Sequence, residues 1–182
     1  MSRSASQKRL RDLGDRAVVF WEKAPFDTSD VSVLLGSSEH DVLGEECWQN
    51  LGLSSFVAPN IYLNWEDPVL LEALNCVEMG SDRNDCPLYY FLEVGAYAIS
   101  TNLGLLFLAQ STLELFEAFV LYAEWVEEVL QNRGSNAVVD SKYSRSDIAN
   151  LEERLTLLLN DDYAGSYWQQ DVTRLTSDLG VG

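Results

Sequence analysis

Residues 87–130 read PLYYFLEVGAYAISTNLGLLFLAQSTLELFEAFVLYAEWVEEVL, and this stretch decides the fold. Its segments PLYYFLEV, AYAIS and LLFLA are rich in aromatic and aliphatic residues, which predicts short β-strands. Asn102-Leu103-Gly104 predicts a tight connection between the second and third segments. Residues 111–130 predict an amphipathic helix, because Leu115 and Phe119 belong to an apolar set with helical spacing. We therefore expect a series of strands that runs directly into a helix.

The flanking sequence adds elements on both sides of this stretch. LNCVEMGS predicts one more strand, and the turn-rich SDRNDCP connects it to PLYYFLEV. Strands in one block and helices around it are typical of the α+β class rather than of alternating βαβ units. We expect a short antiparallel meander of three or four strands, packed against several helices in a single domain, residues 1–182. The other expected elements are a helix at 5–23, a strand at 30–36, a helix at 37–52, irregular chain at 53–72, a loop at 131–145, a helix at 146–159 with Ser146 as its N-cap, and a last helix at 166–179 that Gly180 ends.

Composition favours a packed domain without a membrane span. The chain has 182 residues, of which 47% are hydrophobic, and no apolar run reaches the length of a transmembrane helix, about 20 residues. Its N-terminal segment lacks the apolar core of a secretory signal. The three cysteines, Cys47, Cys76 and Cys86, form neither a C-x-x-C motif nor a disulfide framework. We expect a cytoplasmic protein whose cysteines are small buried or half-buried hydrophobic residues.

The net charge of −17 is concentrated in the middle of the chain. Residues 1–23 carry +3 (six bases, three acids), residues 24–132 carry −17 (one base, eighteen acids), and residues 133–182 carry −3 (five bases, eight acids). Arg83 is the only base of the central segment. Such a field attracts basic partners and repels nucleic acid. We therefore expect no direct nucleic-acid binding.

The predicted helix at 111–130 contains five glutamates and no lysine, arginine or histidine. At 100° per residue the glutamates lie on one side, with Leu113, Val120 and Leu121 among or beside them. Two interpretations stay open: a solvated face, as most charge runs are, or a surface kept negative for a basic partner. Trp125 lies at the edge of this face, where it would serve either as a binding anchor or as peripheral packing.

We expect residues 1–23 to form an N-terminal amphipathic helix. Leu10 and Leu13 share its apolar face, and Arg9 and Arg16 lie on a basic face. A helix docked on the domain, its charge complementing the acidic body, is favoured over a membrane-surface helix or a targeting presequence. If this helix lay across the glutamates of 111–130, that acidic face would be structural and a partner would bind elsewhere.

The sequence offers little chemistry. His40 is the only histidine and lies between Glu39 and Asp41, as surface histidines commonly do. No G-x-S-x-G, Walker A, G-x-G-x-x-G or H-E-x-x-H motif occurs, and adjacent carboxylates are expected by chance among 29 acids. SDRNDC lacks the glycine and closing glutamate of a calcium loop, which favours a polar turn. We expect no enzymatic activity, no metal and no cofactor.

The run VEMGSD…PLYYFLEV…AISTNLGLLFLAQSTLELFEAFVLYAEWVEEVL resembles the SUKH superfamily of toxin-immunity proteins. In that family a strand with a Gly-Ser-Asp-like element leads to further strands, a glycine turn and a helix that opens with a Ser-x-x-x-Phe-like pattern. The final stretch NDDYAGSYWQQDVTRL is similar to the C-terminal element of some members. The resemblance spans residues 70–179, and its positions here are Gly80-Ser81-Asp82, Gly104, Ser111 with Leu115 and Phe116, Asp162, Ala164 and Trp168.

The resemblance implies an α+β domain that binds and neutralises a partner toxin inside the producing cell, often a basic nuclease or deaminase, with no common active site. We expect a non-enzymatic immunity protein; the alternatives are an acidic secretion chaperone for an effector, or a nucleic-acid mimic that inhibits a DNA-binding enzyme. Oligomeric state stays open. The candidate partner-binding residues are Glu114, Glu117, Glu124, Glu128, Asp82, Asp85 and Trp125.

Overall fold

A computed structural model of the chain describes residues 3–17, 56–58, 61–63 and 68–179. The expected strand at 30–36, the helix at 37–52, His40 and Cys47 lie outside these residues. The described part is an α+β fold, with one antiparallel sheet and four helices.

The sheet follows the order β1-β2-β4-β5-β6-β7, and β3 also pairs with β4. β2 pairs with the second half of β4 and β3 with its first half, so that both lie along the same edge of β4. All six pairings are antiparallel. Five of them join consecutive strands, as is usual for antiparallel strands, and the sixth joins β2 to β4, with β3 between them in the chain. The strands are β1 (Phe56–Ala58), β2 (Ile61–Leu63), β3 (Val69–Leu71), β4 (Cys76–Asp82), β5 (Pro87–Phe91), β6 (Ala96–Thr101) and β7 (Gly104–Ala109).

The expected meander is confirmed from β4 to β7, but the expectation of irregular chain at 53–72 is wrong. That segment contains β1, β2 and β3, each of three residues. Strands this short show too little alternation to be recognised, and Pro59 and Pro68 indicated breaks instead.

Gly80 is required where β2 crosses close to β4. A Cβ at this position would lie 2.0 Å from the Tyr62 carbonyl oxygen, and the backbone φ of +151° is one that other residues rarely adopt. A β-bulge between Glu78 and Gly80 disturbs the pairing with β5 at the same place. Glycine therefore allows two strand backbones to approach without a steric clash.

The helices are α1 (Arg3–Ala17), α2 (Thr112–Arg133), α3 (Arg145–Leu159) and α4 (Tyr167–Asp178). Serine hydroxyls cap three of them, because Ser111, Ser144 and Ser166 accept hydrogen bonds from backbone N–H groups of the first turn. The expected cap Ser146 is wrong: Ser144 caps α3 and forms a capping box with Asp147. The expected end at Gly180 lies outside the described residues.

The helices form layers against the sheet. α2 packs against β1, β6 and β7, α4 packs against β7, and α3 contacts α2 and α4. Trp168 of α4 is fully buried, makes an edge contact with Phe119 of α2, and donates an indole hydrogen bond to the Leu108 carbonyl oxygen at 2.9 Å. This bond satisfies a polar backbone group of β7, the last strand in the sheet order.

Candidate partner-binding surfaces

The basic helix α1 lies against the acidic face of α2. The Arg9 guanidinium pairs with the Glu117 carboxylate, and Arg16 makes a two-pronged pair with Glu124 at 2.7 and 2.8 Å. The two pairs are seven residues apart on each helix and in the same order, so α1 and α2 run in the same direction. Two turns of helix separate the pairs, about 10.5 Å.

The apolar positions beside these glutamates are covered as well. Leu113 and Val120 are buried, although they lie on the outer side of α2. Leu10 and Leu13 of α1 are buried in the same hydrophobic core. The expectation of a docked N-terminal helix is therefore confirmed for the part of 5–23 that the structure describes.

The remaining candidate glutamates of α2 have partners of their own. Glu128 accepts a hydrogen bond from Arg154 of α3 at 2.7 Å. Glu114 accepts one from the Gln110 backbone at 3.2 Å, and burial raises its pKa more than this hydrogen bond and the charge of Arg9 lower it. Glu127, which was not a candidate, is exposed and bonds only to Gln131 within the described residues.

Trp125 is buried rather than peripheral. It is 1% exposed, and its indole N–H donates to the Asp147 carbonyl oxygen at 2.7 Å. Tyr122 and Tyr143 contact its ring edge to face. A residue enclosed in this way is not available as a surface anchor, so that interpretation of Trp125 is corrected to packing between α2 and the start of α3.

Asp82 is the last residue of β4, and Asp85 lies in the turn between β4 and β5. The Asp82 carboxylate is buried and accepts hydrogen bonds from the backbone N–H groups of Asn84 and Cys86 at 2.8 and 3.0 Å. Asp85 is exposed and adopts a left-handed conformation with φ of 58°. Asp82 thus shapes the turn, as the polar-turn interpretation of SDRNDC predicts, and Asp85 faces solvent.

A cleft of about 610 Å³ adjoins this turn, and no local pattern in the sequence indicates it. Its walls are the β4–β5 turn, the β6–β7 turn and the face of α4 that carries Tyr167, Gln170, Asp171 and Arg174. Asp171 of α4 is buried in its wall, accepts a hydrogen bond from the Tyr122 hydroxyl at 2.6 Å and pairs with Arg174 at 2.8 Å. Burial, reinforced by the charge of Asp171, raises the pKa of Tyr122 and of Tyr167.

The chemistry of the cleft does not favour nucleophilic catalysis. Burial and the neighbouring Asp82 raise the pKa of the Cys86 thiol. A reactive cysteine needs the opposite, a lowered pKa that yields thiolate at neutral pH. Asp171 is already engaged by Tyr122 and Arg174, which together form a hydrogen-bonded ion-pair cluster in the wall of the cleft.

Comparison with known proteins returns no match: no family model matches the chain, and no curated protein or solved structure matches it significantly. The resemblance to the SUKH superfamily thus depends on the quoted residues alone. Among the described residues, no helix combines the length and the apolar character that crossing a membrane requires.

Proposed function

We propose that this protein is a non-enzymatic immunity protein that binds and neutralises a basic toxin domain. The observation that carries the proposal is an excess of carboxylates after the internal ion pairs are counted. Arg9, Arg16, Arg133, Lys142, Arg154 and Arg174 each pair with an acid of the same chain. Glutamates on the sheet, its turns and α3 make no ion pair within the described residues, and these are Glu72, Glu78, Glu93, Glu152 and Glu153.

An uncompensated negative surface lowers the stability of the folded chain, since like charges repel one another. Its physical effect is on association: it accelerates encounter with a basic protein by one to three orders of magnitude at low salt. A toxin that acts on nucleic acid presents such a basic surface, because its substrate is a polyanion. Binding there would block substrate access without any chemistry by the inhibitor.

The SUKH resemblance supports the same proposal. The described fold is α+β, which is the class the resemblance implies, although a fold class hosts many functions. Neither the cleft nor the turn acids add a catalytic arrangement within the described residues, so binding is the simplest activity for this surface.

The test begins with capture of partners by the tagged chain from its own cells, at low and then moderate salt. A captured basic protein is then expressed alone in a host cell and together with the chain. We expect growth arrest by the partner alone and relief only when the chain is present in at least equal amount. An isolated complex of fixed stoichiometry is expected by size-exclusion chromatography with light scattering.

Three results would overturn the proposal. Relief by substoichiometric chain indicates turnover, and thus an enzyme. Capture of an unfolded effector segment by a dimer indicates the secretion chaperone. Capture of a DNA-binding enzyme that is itself harmless to the host, and that DNA displaces, indicates the nucleic-acid mimic.

A further inference from the structure

We propose that the basic partner docks on one end of the sheet, formed by β3, the 3-10 turn Glu72–Leu74 and the β5–β6 turn at residues 92–95, here called the β3 end. The inference rests on the proposed function and locates its binding surface. It differs from the site that the sequence indicated, because three of the four candidate glutamates of α2, namely Glu117, Glu124 and Glu128, have arginine partners within the chain. The glutamates of the β3 end make no ion pair within the described residues.

The turns of the β3 end are held together by backbone hydrogen bonds. The Leu92 N–H donates to the Asn75 carbonyl oxygen at 3.1 Å, and the Asn75 N–H donates to the Glu72 carbonyl oxygen at 3.2 Å. Asn75 adopts the left-handed conformation, with φ of 49°, that ends the 3-10 turn. The side chains of both turns therefore lie on one fixed platform at the start of β4.

This platform exposes apolar side chains that an unbound protein usually covers. Val69, Leu70, Leu74 and Val94 are between 42% and 61% exposed. Leu74 and Val94 lie in two adjoining turns, whereas Val69 and Leu70 are consecutive in β3 and therefore point to opposite faces of the sheet. Exposed apolar groups with a polar rim are typical of protein-binding surfaces.

The charge around these groups specifies a basic partner. Glu72 and Glu93 are exposed in the two turns, and Glu78 is half-buried opposite Val69 in the β3–β4 pair. The stretches 69–78 and 91–95 contain no lysine or arginine. Arg83, the only base between residues 24 and 132, follows the far end of β4. Seven residues of strand span roughly 20 Å, more than twice the screening length at physiological salt.

The experiment compares paired variants of the full chain for binding to the toxin domain identified by the neutralisation test. L74S/V94S removes apolar groups of the β3 end, and V139S/L157S removes even more exposed apolar groups elsewhere. E72K/E93K reverses two charges of the β3 end, and E152K/E153K makes the same change of net charge on exposed positions of α3. All four pairs replace exposed or turn residues, and unchanged thermal unfolding verifies that they fold.

We expect L74S/V94S to weaken binding at least tenfold, mainly through faster dissociation, since apolar contacts form after encounter. E72K/E93K should slow association about tenfold at low salt, and less at high salt. The affinity of both control variants should stay within about threefold of the wild type. V139S/L157S changes no group of the β3 end, and the distant charges of E152K/E153K affect only the long-range field.

The outcomes separate the two proposals. If the wild type binds and the β3-end variants behave like their controls, the β3 end is not the docking surface, and the immunity function stands. If the wild type binds no toxin domain, the immunity function and the docking inference both fail. If E152K/E153K is the weaker binder, the surface lies on α3 instead.

Discussion

The docking of α1 on the acidic helix predicts that Leu13→Ala destabilises the protein. Leu13 is 1% exposed and belongs to the hydrophobic core. Truncating a buried leucine to alanine costs about 2–5 kcal/mol, according to how well the surroundings close the cavity. Because α1 contacts the domain along one face and can settle inward, we expect the lower half of this range, about 2–3 kcal/mol. For a chain of this length the melting temperature should fall by about 4–12 °C.

Urea unfolding, followed by circular dichroism and tryptophan fluorescence, measures the effect. The matched control is Leu157→Ala, the same truncation at a position of α3 that is 70% exposed, where a change within about 0.5 kcal/mol is expected. If Leu13→Ala is as mild as its control, α1 is not held by this side chain, and the covered state of the α2 glutamates loses its main support.

Three further measurements test individual contacts. A double-mutant cycle with Arg16→Ala and Glu124→Ala should give a coupling of about 0.5–1 kcal/mol that decreases with salt; zero coupling would mean that the pair only orients α1. Ser144→Ala should cost about 1 kcal/mol of unfolding free energy through the lost helix cap, and Ser144→Gly much less; equal losses would argue against capping. Tyr122→Phe removes a hydrogen bond to the Asp171 carboxylate and should cost about 1.5–3 kcal/mol at pH 7. The pKa of Tyr122 is raised in the folded state above its unfolded value near 10. Between these two pKa values the unfolded state binds fewer protons than the folded state, so the free energy of unfolding should fall as the pH rises above about 10. If Tyr122→Phe leaves this alkaline decrease in stability unchanged, the decrease belongs to other groups.

Local patterns were enough to predict the parts of the fold that are regular over many residues. The strands β4 to β7 follow from their aromatic and aliphatic content between turn residues, and the three helices of the C-terminal half follow from helical spacing of apolar residues. The three-residue strands β1 to β3 were missed because their pairing with each other and with β4 is a tertiary property. Ser146 was mistaken for Ser144 because both serines precede the same apolar periodicity, and only the hydrogen bond to Asp147 distinguishes them.

The binding surfaces were less accessible to sequence reasoning, for two physical reasons. A glutamate on an acidic helix face looks the same whether its partner is solvent, another protein or an arginine of this chain; Glu117 and Glu124 have the third kind of partner. The large cleft combines turns near residues 82 and 101 with α4 near residue 171, and no local periodicity connects segments so far apart. The signal that was available is the basic face of residues 5–23, which complements α2 in charge and in spacing.

The parallel packing of α1 and α2 also sets an order of events during synthesis. Arg16 and Glu124 are separated by 108 residues, and the whole described sheet lies between them in the chain. At about 5–20 residues per second, a ribosome needs roughly 5–22 s to make the second partner after the first. For that time Leu10 and Leu13 have no α2 to pack against, and α1 can dock only after the strands have left the exit tunnel. During this interval the basic face of α1 is therefore open to other acidic groups, because Glu117 and Glu124 have not yet been made.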